Sequence, residues 1–447
     1  MCSASRIVSL QPSVRRPRSG RPTDAPSQLP LTLAKTSVLT GLATALKLAS
    51  GLVATKAVSV LIGPAGLALV GQFQNLVAMV LSLSSQLLSQ GVVKYAAEFQ
   101  DQPEPRNRVL RVAFNANLIL ALGLGAVLIA GCTLLASAIL HDRQYWYLFV
   151  LLAVLAPFGV VNNTVLSAIN GLGQIGRLTR ITIYQSIVGL ALTLALVWLW
   201  RLNGALLSVV LAQTVIFALL WRELRHHPYL RWKRLTLSAD GEDLKKLGQF
   251  ALMAATSAVC IPLTQMVVRD FLARELSWDD AGLWQGITRL SQATLLFAST
   301  TLTVYFVPRF ARADDRETRR EIVRGYMLIV PVLVVLMGGL WLVRDRVILL
   351  LYAPEFMPMR DLFAWQFVGD AVKVSSWVLG YILVARARVA AFVSTEIVLA
   401  ATQIALYVVL VRQHGLVGTC YANLVTYLLN FVILGWFLRD VLTGRKE

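Results

Sequence analysis

The sequence predicts an all-α membrane protein with about twelve transmembrane helices, arranged as two six-helix bundles related by a pseudo-two-fold axis along the membrane normal. Its composition, its long apolar runs and a weak internal repeat all favour this fold. The 447 residues are 57% hydrophobic and 15% charged, and the mean hydropathy is +0.65. Because soluble domains carry about a quarter charged residues, this composition excludes an ordinary soluble protein.

Apolar runs that are long enough to cross a bilayer recur along the chain, since about 20 apolar residues span about 30 Å of hydrocarbon. Linkers rich in turn residues separate several of these runs, as at 63–66 (GPAG) and 171–173 (GLG). The predicted spans are 34–61, 67–97, 109–139, 146–169, 179–200, 205–224, 247–271, 281–308, 322–343, 358–384, 389–411 and 417–438.

A weak repeat divides the chain into two halves. The tripeptide Ala-Gly-Leu opens the second span at residues 65–67 and the eighth span at 281–283. Residues 201–204 (RLNG) precede the sixth span, and 412–415 (RQHG) precede the twelfth. Halves with an even number of spans share one orientation, so we expect a parallel repeat, which is typical of transporters. The predicted organisation is a disordered cytoplasmic segment 1–30, a first bundle 31–226, a cytoplasmic connector 227–246, a second bundle 247–440 and a cytoplasmic tail 441–447.

The chain is strongly basic, with 42 Lys and Arg residues against 24 Asp and Glu residues and a formal net charge of +18. In a soluble protein such an excess indicates a nucleic-acid partner. Here the basic residues cluster in alternate loops, and no basic helix carries interleaved aromatic residues. The positive-inside rule explains this pattern and places both termini in the cytoplasm. We therefore expect a multi-pass protein of the bacterial inner membrane with no nucleic-acid partner.

Residues 1–30 are rich in Arg, Ser and Pro and lack an apolar core, so they do not resemble a signal peptide. We expect this segment either to be disordered or to result from a start codon assigned too far upstream. The four cysteines and four histidines have no metal-ligand spacing. We therefore expect no metal and no cofactor.

Two lysines lie within the first predicted span. Lys47 shares a polar stripe with Thr44 and Thr55 at helical spacing, which predicts a side chain that faces a cavity. Lys56 lies about half a turn away, near the outer end of the span, and either joins the same site or extends to the interface. We expect both lysines to bind an anionic substrate.

The eighth span carries Arg289 on a polar stripe with Gln285 and Gln292. Its guanidinium either pairs with an acid in the bundle or binds phosphate through its fork of donors. Arg269 and Asp270 lie near the outer end of the seventh span and carry less weight as functional residues. Asp270 is retained as a coupling or structural acid.

Asp370 and Lys373 lie on one face of the tenth span, one helical turn apart. They either neutralise each other or form a site that binds an anion and responds to protons. Glu396 is a lone acid of the eleventh span, so it either pairs with a cation or couples transport to an ion. We expect Lys373 to bind substrate together with Lys47 and Arg289, and the acids to be structural or to couple to H⁺ or Na⁺.

Three segments resemble those of a known family: residues 33–40 (LAKTSVLT), 63–66 (GPAG) and 91–98 (GVVKYAAE). They are similar to Wzx-type flippases, which carry lipid-linked oligosaccharides such as O-antigen or enterobacterial common antigen units. These flippases belong to the multidrug/oligosaccharidyl-lipid/polysaccharide exporter superfamily. The resemblance covers residues 31–440, whereas residues 1–30 depart from the family pattern.

The resemblance implies twelve helices in two bundles and export of an undecaprenyl-pyrophosphate glycan. It also implies a cationic cavity, with which Lys47, Arg289 and Lys373 are consistent. The expected partners are the glycan lipid, membrane lipid, a polysaccharide polymerase and a chain-length regulator.

We therefore expect a flippase that moves the lipid-linked oligosaccharide to the periplasmic leaflet by alternating access. The alternative within the superfamily is a small-molecule or multidrug antiporter, which would use buried acids for cationic cargo. An enzyme acting on the same lipid would need a large outer loop with catalytic residues, and the predicted outer loops are short. A scaffold without transport activity would leave the intramembrane charges unexplained.

Overall fold

All regular elements of the described residues are helical. The structure, a computed structural model, describes residues 29–100, 102–224, 241–386 and 388–443. Most of each predicted hydrophilic segment lies outside the described residues; these segments are 1–30, 227–246 and 441–447.

The first half of the chain forms six α-helices and the second half forms nine. The helices of the first half are α1 (Leu29–Leu81), α2 (Ser89–Glu98), α3 (Pro103–Ala130), α4 (Cys132–Ile139), α5 (Trp146–Gly171) and α6 (Ile175–Leu224). Those of the second half are α7 (Gly241–Glu275), α8 (Trp278–Thr301), α9 (Val307–Arg312), α10 (Asp315–Leu342), α11 (Arg344–Leu351), α12 (Phe363–Ala385), α13 (Val389–His414), α14 (Gly418–Phe437) and α15 (Arg439–Thr443).

Local sequence explains where several of these helices begin. The Ser277 hydroxyl accepts a hydrogen bond from the backbone N–H of Asp280 at 3.0 Å, and so caps α8. The Asp314 carboxylate accepts one from the Glu317 N–H at 2.7 Å and caps α10. α3 begins with Pro103, whose missing N–H costs nothing in the first helical turn.

Among the described residues, nine helical segments are long and apolar enough to cross a membrane. The sequence predicts about twelve spans, and three of the nine segments each cover two of those predicted spans. α1 passes through Gly63, which has φ 78°, and α6 passes through Arg201, which has φ 50°. α13 leads directly to α14 through Gly415, which has φ 60°. The chain is therefore a multi-pass membrane protein whose longest helical segments contain breaks.

Two of these breaks have the same geometry in the two halves. Arg201 has φ 50° and ψ −122°, and Gly415 has φ 60° and ψ −144°. A glycine follows each of them at the same spacing, Gly204 and Gly418, and packs against a backbone carbonyl of the preceding helix. A Cβ atom would lie 1.8 Å from that oxygen at Gly204 and 2.1 Å from it at Gly418. In the fold, Arg201 therefore occupies the position equivalent to Gly415. The sequence motif instead aligns Arg201 with Arg412.

The second predicted span of each half contains a π-helical turn, Ser82–Gln86 between α1 and α2 and Leu302–Phe306 between α8 and α9. A π-helical turn widens a helix locally and is common at functional sites. The two halves therefore share a departure from regular geometry as well as sequence motifs.

The turn at residues 63–66 meets the start of α8 at residues 277–282. We call this end of the molecule the Gly63 end. There the Ala65 N–H donates to an Asp279 carboxylate oxygen at 3.1 Å. Gly282 packs so closely on Pro64 that a Cβ atom would lie 2.1 Å from the Pro64 carbonyl oxygen. The two copies of the Ala-Gly-Leu motif consequently lie side by side, in contact across the two halves.

Candidate functional site

A cavity of about 290 Å³ lies within the second half of the chain. Helices α7, α8, α12, α13 and α14 supply its wall. The polar and aromatic side chains of this wall are Thr264, Gln265, Gln292, Ser299, Lys373, Trp377, Glu396, Gln403 and Tyr427. Amides and aromatic rings are the groups that bind sugars, and an ammonium group binds phosphate.

Lys373 is the basic residue of this cavity. Its side chain is half-buried, and its ammonium lies 4.8 Å from the centroid of the Tyr427 ring and 5.4 Å from that of Trp377. Among the ion pairs of the described residues, none includes Lys373. The aromatic faces stabilise the cation without neutralising it, so the ammonium can still bind an anion.

Asp370 lies one turn before Lys373 but away from the cavity. Its side chain is fully buried, and one carboxylate oxygen accepts a hydrogen bond from Gln366 Nε2 at 3.0 Å. The side chains of Ser291 and Asn423 also lie next to this carboxylate. The ion pair that would neutralise Asp370 and Lys373 is not among those of the described residues.

Glu396 lines this cavity and also a second one of about 290 Å³, whose wall includes Ser376, Tyr381 and Asn430. The Glu396 side chain is half-buried, and no ion pair or hydrogen bond involves it among the described residues. The cavity region of the second half thus holds one cation, Lys373, and one acid, Glu396.

Arg289 joins the second half to the first. Its Nη1 donates to Thr55 Oγ1 at 2.8 Å, and its Nη2 donates to Gln74 Oε1. Both partners are neutral and lie on α1. Gln292, one turn further along α8, lines the cavity, so Arg289 lies just beyond the cavity wall toward the Gly63 end.

Lys56 binds backbone carbonyls of the second half. Its ammonium donates to the Leu349 oxygen at 2.7 Å and to the Tyr352 oxygen at 2.5 Å. These carbonyls lie at the C-terminal end of α11, where the helix dipole favours a cation. The buried Tyr352 hydroxyl donates to the Gly286 carbonyl oxygen at 2.9 Å, and burial raises the pKa of Tyr352 to about 12, although nearby Arg289 lowers it. Tyr352 therefore stays a neutral donor.

Lys47 has an exposed side chain on α1, with no hydrogen bond or ion pair among the described residues. It lies about 12 Å along the helix from Thr55, the residue that binds Arg289. The structure therefore does not bring Lys47, Arg289 and Lys373 into direct contact.

Asp270 lies at the Gly63 end, outside the cavity wall. One carboxylate oxygen is 2.7 Å from His141 Nε2, and the other is 3.0 Å from Arg274 Nε. His141 belongs to the first half, so Asp270 is part of a contact between the halves.

Comparison with known proteins places most of this chain in one protein family. Residues 70–361 match the family model described as "Polysaccharide biosynthesis protein". The lipid III flippase of Escherichia coli (strain K12) is 30% identical over 407 residues, which cover 90% of this chain and 97% of that protein. The lipid III flippase of Shigella flexneri gives the same values. This chain belongs to the polysaccharide biosynthesis protein family. The resemblance to lipid-linked oligosaccharide flippases read from the sequence is thereby confirmed.

The fold is shared with transporters of the wider superfamily. An inward-facing structure of a multidrug resistance MATE family transporter of the MOP superfamily superposes with a TM-score of 0.73 at 15% identity. The match covers 90% of this chain and 96% of that one. This chain therefore shares the fold of that transporter.

The structure brings together one group of polar residues that the sequence analysis did not connect. Arg269 is fully buried, and its Nη1 donates to Gln72 Oε1 at 2.8 Å while its Nη2 donates to Gln285 Oε1. The available signal was the polar run Gln72, Gln74 and Asn75 within an otherwise apolar second span. Those side chains meet α7 and α8 only in the folded chain.

Proposed function

We propose that the protein flips a polyprenyl-pyrophosphate-linked oligosaccharide from the cytoplasmic to the periplasmic leaflet. The observation that carries the proposal is the cavity of Lys373. Lys373 has no carboxylate partner among the ion pairs of the described residues. The rings of Trp377 and Tyr427 and the amides of Gln292 and Gln403 line the same cavity. Such a lining suits a phosphate attached to a sugar. The lipid III flippases, which match 90% of the chain, support the same cargo class.

We further propose about twelve spans in two six-helix bundles, with both termini in the cytoplasm. The candidate span Thr40–Glu98 has 59 residues, which as one straight helix would be about 90 Å long against a hydrocarbon core of about 30 Å. Such a segment must cross twice. The breaks at Gly63, Arg201 and Gly415 supply the points at which the chain turns back.

In this proposal the two bundles rock to give alternating access. The pyrophosphate enters near Lys47, Arg289 and Lys373, while the prenyl tail stays in lipid between the bundles. Lys56 joins this set only after its contacts with the carbonyls at the end of α11 break. The aromatic rings of the cavity would hold the first sugars.

The membrane potential can drive this transport, because the cytoplasm is negative and the cargo is an anion. Each charge gains about 2.3 kcal/mol per 100 mV, so two charges gain about 5 kcal/mol. Antiport of H⁺ or Na⁺ through Asp370 or Glu396 is an additional route, since neither acid takes part in an ion pair among the described residues. Asp270, which is engaged by His141 and Arg274, would contribute to the structure instead.

The proposed setting is the bacterial inner membrane, where an undecaprenyl-pyrophosphate glycan would be the cargo. A polysaccharide polymerase and a chain-length regulator are the proposed protein partners. The protein would act as a transporter without enzymatic activity, cofactor or nucleic-acid partner.

A flipping assay with the pure protein tests this function. Proteoliposomes carry a fluorescent polyprenyl-pyrophosphate sugar, with and without an imposed potential; protein-free vesicles and a neutral polyprenyl sugar serve as controls. We expect protein-dependent movement of the pyrophosphate lipid, faster when the potential favours anion export. Movement of a cationic drug against a proton or sodium gradient, with none of the lipid, would instead identify a small-molecule antiporter.

A further inference from the structure

Arg269 is a buried cation, and its hydrogen-bond partners among the described residues are both neutral amides. Its side chain is fully buried, its two terminal nitrogens donate to the amide oxygens of Gln72 and Gln285, and its Nε has no hydrogen-bond partner among the described residues. The Trp284 ring lies 5.5 Å from its central carbon. Asp270, the next residue, is engaged instead by two other side chains.

A buried guanidinium whose hydrogen-bond partners are neutral amides should bind an anion strongly. Removing a charge from water is costly, and neutral amides recover less of that cost than a carboxylate or phosphate would. A phosphate matches the fork of guanidinium donors with two charge-assisted hydrogen bonds. An arriving phosphate would therefore compete well against either glutamine.

Arg269 lies one helical turn beyond the cavity wall. On α7, Gln265 lines the cavity and Arg269 follows one turn nearer the Gly63 end. On α8, Gln292 lines the cavity, and Arg289 and Gln285 follow at successive turns toward the same end. The two arginines thus lie in order between the cavity and the Gly63 end.

The same residues hold the two halves together there. Gln72 on α1 accepts from Arg269 and donates through Nε2 to the Met266 carbonyl oxygen at 3.2 Å. Asn75, one turn along, donates to Gln265 at 3.1 Å. Among the described residues, the hydrogen bonds that join α1 to α7 lie at this level, and the side-chain amides of α1 make all of them.

Gly71 sets the geometry of this closure. A Cβ atom at Gly71 would lie 2.6 Å from Gln285 Cδ, so the absence of a side chain lets the Gln285 amide lie against α1 and reach Arg269. The closure therefore depends on a close approach of the two halves as well as on the polar groups.

We propose that Arg269 is the exit site for the cargo anion and that its bond to Gln72 is the latch of the Gly63 end. The phosphate of the cargo moves from Lys373 and Arg289 to Arg269, takes the place of Gln72 on the guanidinium, and so removes one of the hydrogen bonds that hold α1 against α7. The proposal rests on the flippase function and adds a residue and an order of contacts to it. A neutral latch suits this task, because an ion pair would bind Arg269 too tightly for the cargo to displace.

Two substitutions at one position test the latch in opposite directions. Gln72→Glu converts the neutral contact into an ion pair. It should slow flipping at least tenfold and also slow hydrogen–deuterium exchange of the backbone at the Gly63 end. Gln72→Met removes the contact and should speed hydrogen–deuterium exchange at the Gly63 end even when no cargo is present. The assays are flipping in proteoliposomes and hydrogen–deuterium exchange of the backbone at residues 63–75 and 276–286, with and without the polyprenyl-pyrophosphate sugar.

Gln213→Glu is the matched control. Gln213 lies in the first half and contacts Asn162, so the variant adds the same acid to a membrane helix without touching Arg269. It should flip at a rate close to that of the unmodified protein.

The outcomes separate the latch from the function. If the unmodified protein does not flip the lipid, the flippase function fails. If it flips and Gln72→Glu flips equally fast, only the latch is refuted. Slow flipping of Gln72→Glu with unprotected backbone at the Gly63 end also refutes the latch, because a locked end must be protected. If Gln72→Glu does not fold, Gln72→Met decides the question: unchanged hydrogen–deuterium exchange at residues 63–75 and 276–286 in the cargo-free variant would refute the latch.

Discussion

Replacing Lys373 by glutamine tests the cavity most directly, because it removes the basic residue of the lining and keeps a polar side chain of similar length. In the folded protein the ammonium contacts the rings of Tyr427 and Trp377, and no ion pair of the described residues includes it. The substitution therefore breaks no ion pair of the protein itself. We expect the variant to fold and to lose mainly its hold on the cargo anion.

The size of the loss follows from the contact that disappears. A hydrogen bond to a charged group contributes about 1.5–3 kcal/mol. Since about 1.4 kcal/mol corresponds to a factor of ten, the flipping rate at low cargo concentration should fall roughly tenfold to a hundredfold. The half-burial of Lys373 favours the lower part of this range, because water screens part of the interaction. Lys373→Arg keeps the charge and should retain most of the rate.

The assay is the proteoliposome flipping rate as a function of cargo concentration, with the amount of folded protein fixed by size-exclusion chromatography. Lys94→Gln removes the same charge from an exposed residue outside the cavity wall and serves as the control. A Lys373→Gln protein that flips as fast as the Lys94→Gln control at limiting cargo would refute the binding role. Equal losses in both variants would point to a general effect of net charge.

Three further predictions concern the rest of the structure. Lys56→Met removes the hydrogen bonds to the carbonyl oxygens of Leu349 and Tyr352 and should lower the stability in detergent by about 1 kcal/mol. Thermal unfolding, with Lys94→Met as the control, measures this change. An unchanged unfolding transition would contradict a structural contribution of Lys56. Gly418→Ala places a Cβ atom 2.1 Å from the Leu410 carbonyl oxygen and should destabilise the protein by about 1–3 kcal/mol in the same assay, and a stable variant would show that the turn relaxes at little cost. Asp370→Asn keeps an acceptor for its amide neighbour and should preserve folding while abolishing any acceleration of flipping by a pH gradient; retained acceleration would assign the coupling to Glu396.

The membrane class and the approximate positions of the helices could be read from the sequence, because both depend on local properties. A run of apolar residues crosses a bilayer whatever lies beside it, and a residue such as Gly63 interrupts a helix through its own backbone freedom. The paired motifs at residues 65–67 and 281–283 also indicated a repeat, and the structure brings these two segments into contact. The family was likewise evident from short segments of the first hundred residues.

The environment of each intramembrane charge depended on helices that are distant in the chain. Sequence spacing set Asp370 beside Lys373, yet packing turns the carboxylate toward Gln366 and the ammonium toward the cavity. Helical periodicity specifies which residues share a face, and it does not specify what that face meets.

Arg269 illustrates the same limit most clearly. By position it belonged with its neighbour Asp270, near the end of a span. In the fold, Asp270 turns to His141, and Arg269 turns to an amide of α1 that lies almost two hundred residues earlier in the chain. The partners of a buried charge are decided by which helices pack together, because the cost of burial is set by the groups within a few ångströms of it, and only the tertiary structure brings those groups there.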